Sequence, residues 1–170
     1  MAKVKNKKGR RGFTFYKELG GAPARDKLSK TSRVLIDNEL IQGRVLDYGC
    51  GKGFDADSQG WSAYDPHYRQ TYPTGQFNTI IVNHVANILT SRSRTELYSS
   101  VNELLADGGI AYISVARNIP KRGKAGVRRR LQNYVVLTLP SVFCDDEEEI
   151  YALEKNAVFK DKTKEFEGGL

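Results

Sequence analysis

The sequence predicts an α/β protein: a mostly parallel sheet with helices on both faces and an antiparallel strand pair near its C-terminal end. Three observations predict it. Apolar segments too continuous for a one-sided sheet, chiefly "FNTIIV" (77–82) and "IAYISVA" (110–116), alternate with segments of helical periodicity. A glycine loop, "GCGKG" (49–53), directly follows a short apolar run. Finally "NYVVLTLPSVF" and "EIYALEKN" are separated by the acidic "CDDEEE" alone, as expected of strands paired antiparallel.

The elements follow in order. Residues 1–12 have low hydrophobicity and charge of one sign, which predicts a disordered basic tail, leaving 13–170 as a single domain. Helical character runs from Phe13 to Leu40, with "GGAP" as a break and Leu28, Val34, Leu35, Leu40 and Ile41 at helical spacing, and Gly43 is placed to stop it. "RVLDYG" reads as a buried strand and "WSAYD" (61–65) as the next. The segment between them, "FDADSQG", offers barely two helical turns. After "FNTIIV", the stretch "SRSRTELYSSVNELLADGG" places Leu97, Val101, Leu104 and Leu105 on one helical face. Ser91 or Ser93 is a candidate cap, and Gly108-Gly109 a stop. "IAYISVARN" is a further buried strand.

At 170 residues with 39% hydrophobic and 28% charged residues, the chain is long enough for one well-filled core. Its longest apolar runs are too short to cross a bilayer, and no apolar stretch follows the basic N-terminus as a secretory signal would need. Cys50 and Cys144 are too few for a disulfide framework and lack the company of metal ligands, so a reducing cytoplasm and no metal are expected. The net charge of +7 is concentrated in two acid-free clusters, Lys3–Arg11 and Arg117–Arg130. Clusters of this kind attract phosphate backbones by Coulomb attraction and counterion release, which points to nucleic acid as a partner.

In an open α/β sheet, ligands sit beyond the carboxyl ends of the strands. The positions to consider are therefore Asp47–Gly53, Asp65–Tyr68, Asn83–Asn87 and Ser114–Asn118. Gly49, Gly51 and Gly53 let backbone N–H groups approach a ligand, but the third glycine comes one residue too early for the dinucleotide fingerprint, and no P-loop lysine follows. Asp47 stands two residues before the first glycine. Asp65 closes the next strand, where a carboxylate can take both hydroxyls of a ribose. Each acid alone would serve as a loop or turn former; together with the glycines they describe a nucleoside-cofactor site.

"VLDYGCGKG" followed by "YDP" resembles the cofactor motifs of class I S-adenosylmethionine-dependent methyltransferases. "FNTIIVNHVANIL" and "ELLADGGIAYISV" resemble that family's later strands, so the likeness spans about residues 28–118. Within the family, "LSKTSRVLIDNELIQGRVLDYGCGKGFDAD…YDPHYR" is most similar to the methyltransferase-like proteins associated with DNA phosphorothioation. The resemblance implies a Rossmann-like sheet that binds S-adenosyl-L-methionine. Asp47 and the Gly49–Cys50–Gly51–Gly53 loop would lie along its methionine and ribose, and Asp65 would hold the ribose hydroxyls. Pro66 and His67 would flank adenine, with Asn83, His84 and Val85 near the sulfonium.

The sequence departs from the family in three ways. Only "PHYRQTYPTGQ" separates the second strand from "FNTIIV", so the third strand, its flanking helices and an adenine-side acidic motif are expected to be missing. The helix after the glycine loop is short. The fourth-strand motif is "NHVA", not the Asn/Asp-Pro-Pro-aromatic grip of amino-directed DNA methyltransferases, so methylation of an exocyclic base amine by that route is not expected. His84 is the candidate base, with Asn83 beside it. Cys50 has no base near it, and the acidic run is expected to be a solvated turn. Lys27, Lys30 and Arg33 are candidates to meet the cofactor carboxylate or to extend the basic face. Three functions fit: a methyltransferase acting on nucleic acid, a non-catalytic domain of the same fold that binds nucleic acid or a partner protein, and a small-molecule methyltransferase.

Overall fold

The apolar segments pair side by side as the alternation of strands and helices requires. The structure, a computed structural model, describes residues 22–126 and 131–166. The predicted tail, the helical reading of residues 13–21 and Arg128, Arg129 and Arg130 lie outside them.

The strands in chain order are β1 (Val45–Tyr48), β2 (Ser62–Tyr64), β3 (Phe77–Asn83), β4 (Leu105–Ala116), β5 (Lys124–Ala125), β6 (Leu131–Gln132), β7 (Ser141–Cys144) and β8 (Glu148–Glu154). Six form one sheet in the order β2-β1-β3-β4-β8-β7, and β5 with β6 forms a small ribbon. β1, β2, β3 and β4 run parallel, β8 lies antiparallel to β4, and β7 antiparallel to β8. This is the predicted parallel sheet with its late antiparallel pair. Among the described residues the sheet ends at β2, so the third strand is indeed missing.

Alternation along the buried strands sends side chains to two covering layers. Helix α1 (Lys30–Asp37) sets Leu35 against Val45, Ile81, Tyr112 and Ile150 on one face. On the other face, α3 (Ser91–Leu104) packs Leu97, Tyr98, Val101 and Leu104 against Leu46, Tyr48, Ile80 and Ile113. The short α2 (Phe54–Gln59) follows the glycine loop and has fewer than two turns, as its sequence predicts.

Several predicted boundaries move. The leading helix ends at Asp37, capped by the Asn38 backbone; Gly43 does not stop it. Gly43 packs on Asn78 instead, where a Cβ would lie 2.4 Å from Asn78 Oδ1. Thr90, not Ser91 or Ser93, caps α3 by accepting from the Ser93 N–H. That helix stops at Leu104, because Leu105 is already extended and paired with Phe77; Gly108 and Gly109 shape an irregularity within β4.

The predicted strand 133–143 is regular only at Ser141–Cys144. Its alternation is still real, since Val135, Leu137 and Leu139 are buried in the α3-side core. Their backbone partners come from the chain's end instead of the sheet: Thr138 N–H donates to the Lys160 carbonyl and Lys162 N–H to that of Val136. Arg94, 1% exposed, fastens this terminal segment through Asp161 (2.6 Å) and Glu165 (2.9 Å).

Candidate functional site

The carboxyl ends of the parallel strands open onto a cavity of about 410 Å³, within the range of roughly 300–1,000 Å³ usual for small-molecule sites. It is lined by Asp47, Gly49, Cys50, Gly51, Asp65, Asn83, His84, Val85 and Ile88, by Ser29, Lys30 and Thr31 around the start of α1, by Ala22, Pro23 and Arg25 before it, and by Glu148. Eight residues predicted for the site therefore share one cavity.

The loop after β1 turns sharply at Gly49 and Gly51 (φ +85° and +58°), a region that L side chains rarely occupy. Gly49 and Cys50 N–H both donate to the Tyr64 carbonyl (2.7 and 3.0 Å), which ties the loop to the end of β2.

Asp65 adds a second tie. Its Oδ2 accepts from Gly51 N–H (2.9 Å), while Oδ1 accepts from His67 and Tyr68 N–H (2.8 and 3.1 Å). A carboxylate has roughly four lone-pair sites, so at most one is left for a ligand. Asp65 is thus a loop organiser with room for one ribose hydroxyl at most, where the sequence suggested both.

Asp47 is 3% exposed, and its Oδ1 has no hydrogen-bond partner among the described residues. Burial pushes its carboxyl up to about 7, with Asp55 and Asp65 adding to the effect and Arg25 opposing it.

The opposite wall holds a polar network that crosses three strands. His84 directly follows β3, with φ +53°, and its N–H donates to Ser114 at the end of β4 (3.2 Å to the carbonyl, 3.1 Å to Oγ). Its Nε2 lies 2.8 Å from Glu148 Oε2. The same oxygen accepts from the Thr31 hydroxyl (3.0 Å), which also lies 3.0 Å from Ser114 Oγ and from Asn83 Oδ1. Glu148 is 2% exposed, and its Oε1 has no partner among the described residues. A carboxylate only accepts, so a Glu148 carboxylate at Nε2 requires the ring proton there.

Glu148 and Thr31 were missed in the sequence. The acidic run is a solvated turn only in part: Asp145 and Glu147 each pair with Lys30 (2.5 Å), whereas Glu148 turns inward. Carrying the alternation of β8 back from buried Ile150 places Glu148 on the same face, a signal hidden by its acidic neighbours. The Lys30 pairs hold Asp145 down to about 2 and raise the lysine, so this lysine is engaged by carboxylates. Arg25 approaches Asp55 (3.7 Å), which also accepts from the Ser29 and Ser32 hydroxyls (2.5 and 2.7 Å).

The remaining predicted residues fall around the cavity. Gly53 caps α2 and lines a smaller neighbouring cavity of about 240 Å³. Pro66 and His67 lie outside the main cavity's lining; Pro66 is buried and His67 exposed. Cys50 lines the cavity, but burial drives its thiol well above the ordinary range, with Asp47 and Asp65 reinforcing the shift, so it is held as an inert thiol.

Arg117 leaves the predicted basic cluster. It donates to Glu149 Oε2, the Val135 carbonyl and the Tyr151 hydroxyl, and stacks 4.3 Å over Tyr134. Lys121, Arg122 and Lys124 remain exposed.

No protein-family model matches the sequence, and no curated relative matches it. Solved structures do match the fold. The 1,6-didemethyltoxoflavin-N1-methyltransferase of Burkholderia thailandensis, with bound 1,6-didemethyltoxoflavin and S-adenosylhomocysteine, is 16% identical. The match covers 74% of this chain and 76% of that one, with a TM-score of 0.53. DhpI in its SAH complex is 12% identical, over 75% of this chain and 86% of the other, with a TM-score of 0.50. At these identities the likeness concerns architecture alone: the chain has the Rossmann-like fold of these methyltransferases, trimmed by one strand at the β2 edge among the described residues.

Proposed function

We propose that the chain is an S-adenosylmethionine-dependent methyltransferase whose acceptor is carried by nucleic acid. The observation that carries the first part is the convergence of Asp47, the glycine loop, Asp65 and the His84–Glu148 pair on one cavity at the strand ends. The residues fit the cofactor in their placement: Gly49, Cys50, Gly51 and Asp65 line the cavity, and beside them lies Asp47, whose buried Oδ1 has no hydrogen-bond partner among the described residues. Asp47, Gly49, Gly51 and Asp65 would hold it, with Val85 and Asn83 beside its reactive end. When bound, S-adenosylmethionine supplies an activated methyl group.

The chain's own residues orient the acceptor and take its proton. His84, with its tautomer fixed by Glu148, is the base, and the pair favours catalysis over a purely binding role. Nucleic acid as acceptor is supported by the net charge of +7, by exposed Lys121, Arg122 and Lys124, and by the sequence resemblance to phosphorothioation-associated proteins.

Calorimetry with S-adenosylhomocysteine tests the reading most directly. Micromolar binding that weakens at least tenfold in Asp47→Ala is expected; no binding at millimolar ligand sinks the proposal. Transfer of labelled methyl to DNA, RNA and protein pools then tests the acceptor.

A further inference from the structure

We infer that Thr31 is a positioning residue for the methyl transfer: its hydroxyl holds the Glu148 carboxylate in the orientation that faces His84. The inference rests on the methyl-transfer reading, in which His84 is the base. It begins from an imbalance on Glu148. Oε2 meets both His84 Nε2 (2.8 Å) and the Thr31 hydroxyl (3.0 Å), whereas Oε1 has no partner among the described residues. Among those residues, then, two contacts at one oxygen orient the carboxylate. Without Thr31, His84 would have to hold the group that holds it.

Proton count gives the direction of the Thr31 bond. A threonine hydroxyl has one proton and a carboxylate only accepts, so that proton goes to Oε2. Ser114 Oγ, 3.0 Å from the Thr31 oxygen, accepts from the His84 N–H (3.1 Å) and has its own proton for Thr31 or for Asn83 Oδ1 (3.2 Å). Thr31 therefore reaches His84 by two routes, through Glu148 at the ring and through Ser114 at the backbone.

Local structure delivers the hydroxyl already placed. Thr31 is 0% exposed, and its β-branched side chain is restricted at χ1 in a helix. The residues before it fix the start of α1 from two sides. Ser29 Oγ donates to Asp55 Oδ2 (2.5 Å), just past the glycine loop, and Lys30 pairs with Asp145 and Glu147 (2.5 Å each) in the turn before β8. The Lys30 pairs are partly exposed and individually weak, so they bring the turn close without setting the carboxylate's angle. That angle is set at Oε2 by the buried hydroxyl.

Two substitutions separate the hydroxyl from the shape of the side chain. Thr31→Val keeps the shape and removes the hydroxyl; Thr31→Ser keeps the hydroxyl and removes a methyl group. The chain has two histidines, His67 and His84, so the imidazole NMR signals are readily assigned. With S-adenosylhomocysteine bound, Thr31→Val should move the His84 ring-nitrogen signals toward those of mixed tautomers. His67 should stay in place, and Thr31→Ser should keep the wild-type pattern. In the transfer of labelled methyl, Thr31→Val should lower kcat about tenfold or more, the scale of one hydrogen bond to a charged group, with KM for S-adenosylmethionine within about twofold. Thr31→Ser should recover most of that loss.

Affinity for S-adenosylhomocysteine within about twofold of wild type shows that a variant is folded. The wild-type chain supplies a test that needs no variant. The Thr31 hydroxyl and the His84 Nε2 proton share one oxygen, so nuclear Overhauser contacts should join that ring proton to Thr31. A wild-type ring proton on Nδ1, an Nε2 proton without contact to Thr31, or unchanged His84 signals in Thr31→Val overturns the inference. An equal loss of kcat in Thr31→Ser and Thr31→Val overturns it as well. Failure of S-adenosylhomocysteine to bind overturns the underlying function instead.

Discussion

Gly49 and Val85 touch so closely that a Cβ on the glycine would lie 2.5 Å from Val85 Cγ2. The glycine loop therefore packs directly on the segment that carries His84. Gly49→Ala should cost about 2–4 kcal/mol, from left-handed strain and overlap together. Val85→Ala in the same chain should recover only part of the loss, because the φ of +85° remains. Urea denaturation of the two variants checks this.

Asp47 should make stability depend on pH in a sense opposite to that of a paired carboxylate. The folded chain holds its proton up to about pH 7, whereas the unfolded chain releases it near 3.8. Between those values the native state binds more protons, so stability falls as pH rises and the full cost is present above about 7. Asp47→Asn should abolish this difference and raise the thermal midpoint at pH 8 by several degrees, while weakening S-adenosylhomocysteine binding. Melting curves from pH 4 to 8 would show it, and parallel slopes for the two proteins would refute it.

Asp65→Ala removes three backbone hydrogen bonds to one carboxylate. A loss of about 4–5 kcal/mol follows if each charge-assisted bond contributes about 1.5 kcal/mol net. Hydrogen exchange should quicken at Gly51, His67 and Tyr68, while Ile80 and Ile113 in the sheet keep their protection.

Arg94→Met should loosen the terminal segment that Asp161 and Glu165 hold. The carboxylates are 21% and 41% exposed, so water recovers part of the loss, and about 1–3 kcal/mol is expected. Limited proteolysis should cut first between Val158 and Phe166.

Replacing Lys121, Arg122 and Lys124 together by alanine should weaken nucleic-acid binding and reduce its salt slope by roughly two to three. Arg117→Ala should act on stability instead, since that side chain ties Glu149, Val135 and Tyr151 together. Binding isotherms at several salt concentrations separate the two effects.

What was legible in the sequence was local. Strand β3 announces itself by five apolar or β-branched positions in seven, and the loop by glycines that must turn left-handed. The cavity's far wall was not legible, because His84 and Glu148 are brought together by sheet register across β4. Nothing near either residue in sequence encodes that register. Arg117 misled for a related reason: a count of charges does not see Tyr134 and Glu149 folding around one of them. The strand expected over 133–143 is irregular before Ser141 because the partners of that part, residues 160–162, lie in a segment without a strong strand pattern of its own.

The placement of Glu148 on β8 also divides the proposed site between the two halves of the sheet. The parallel half brings Asp47, the glycine loop, Asp65 and His84 together. The carboxylate that faces His84 Nε2 comes from β8, antiparallel to β4. On the proposed function, the groups that hold the cofactor and the group that sets the base therefore belong to different halves of one sheet.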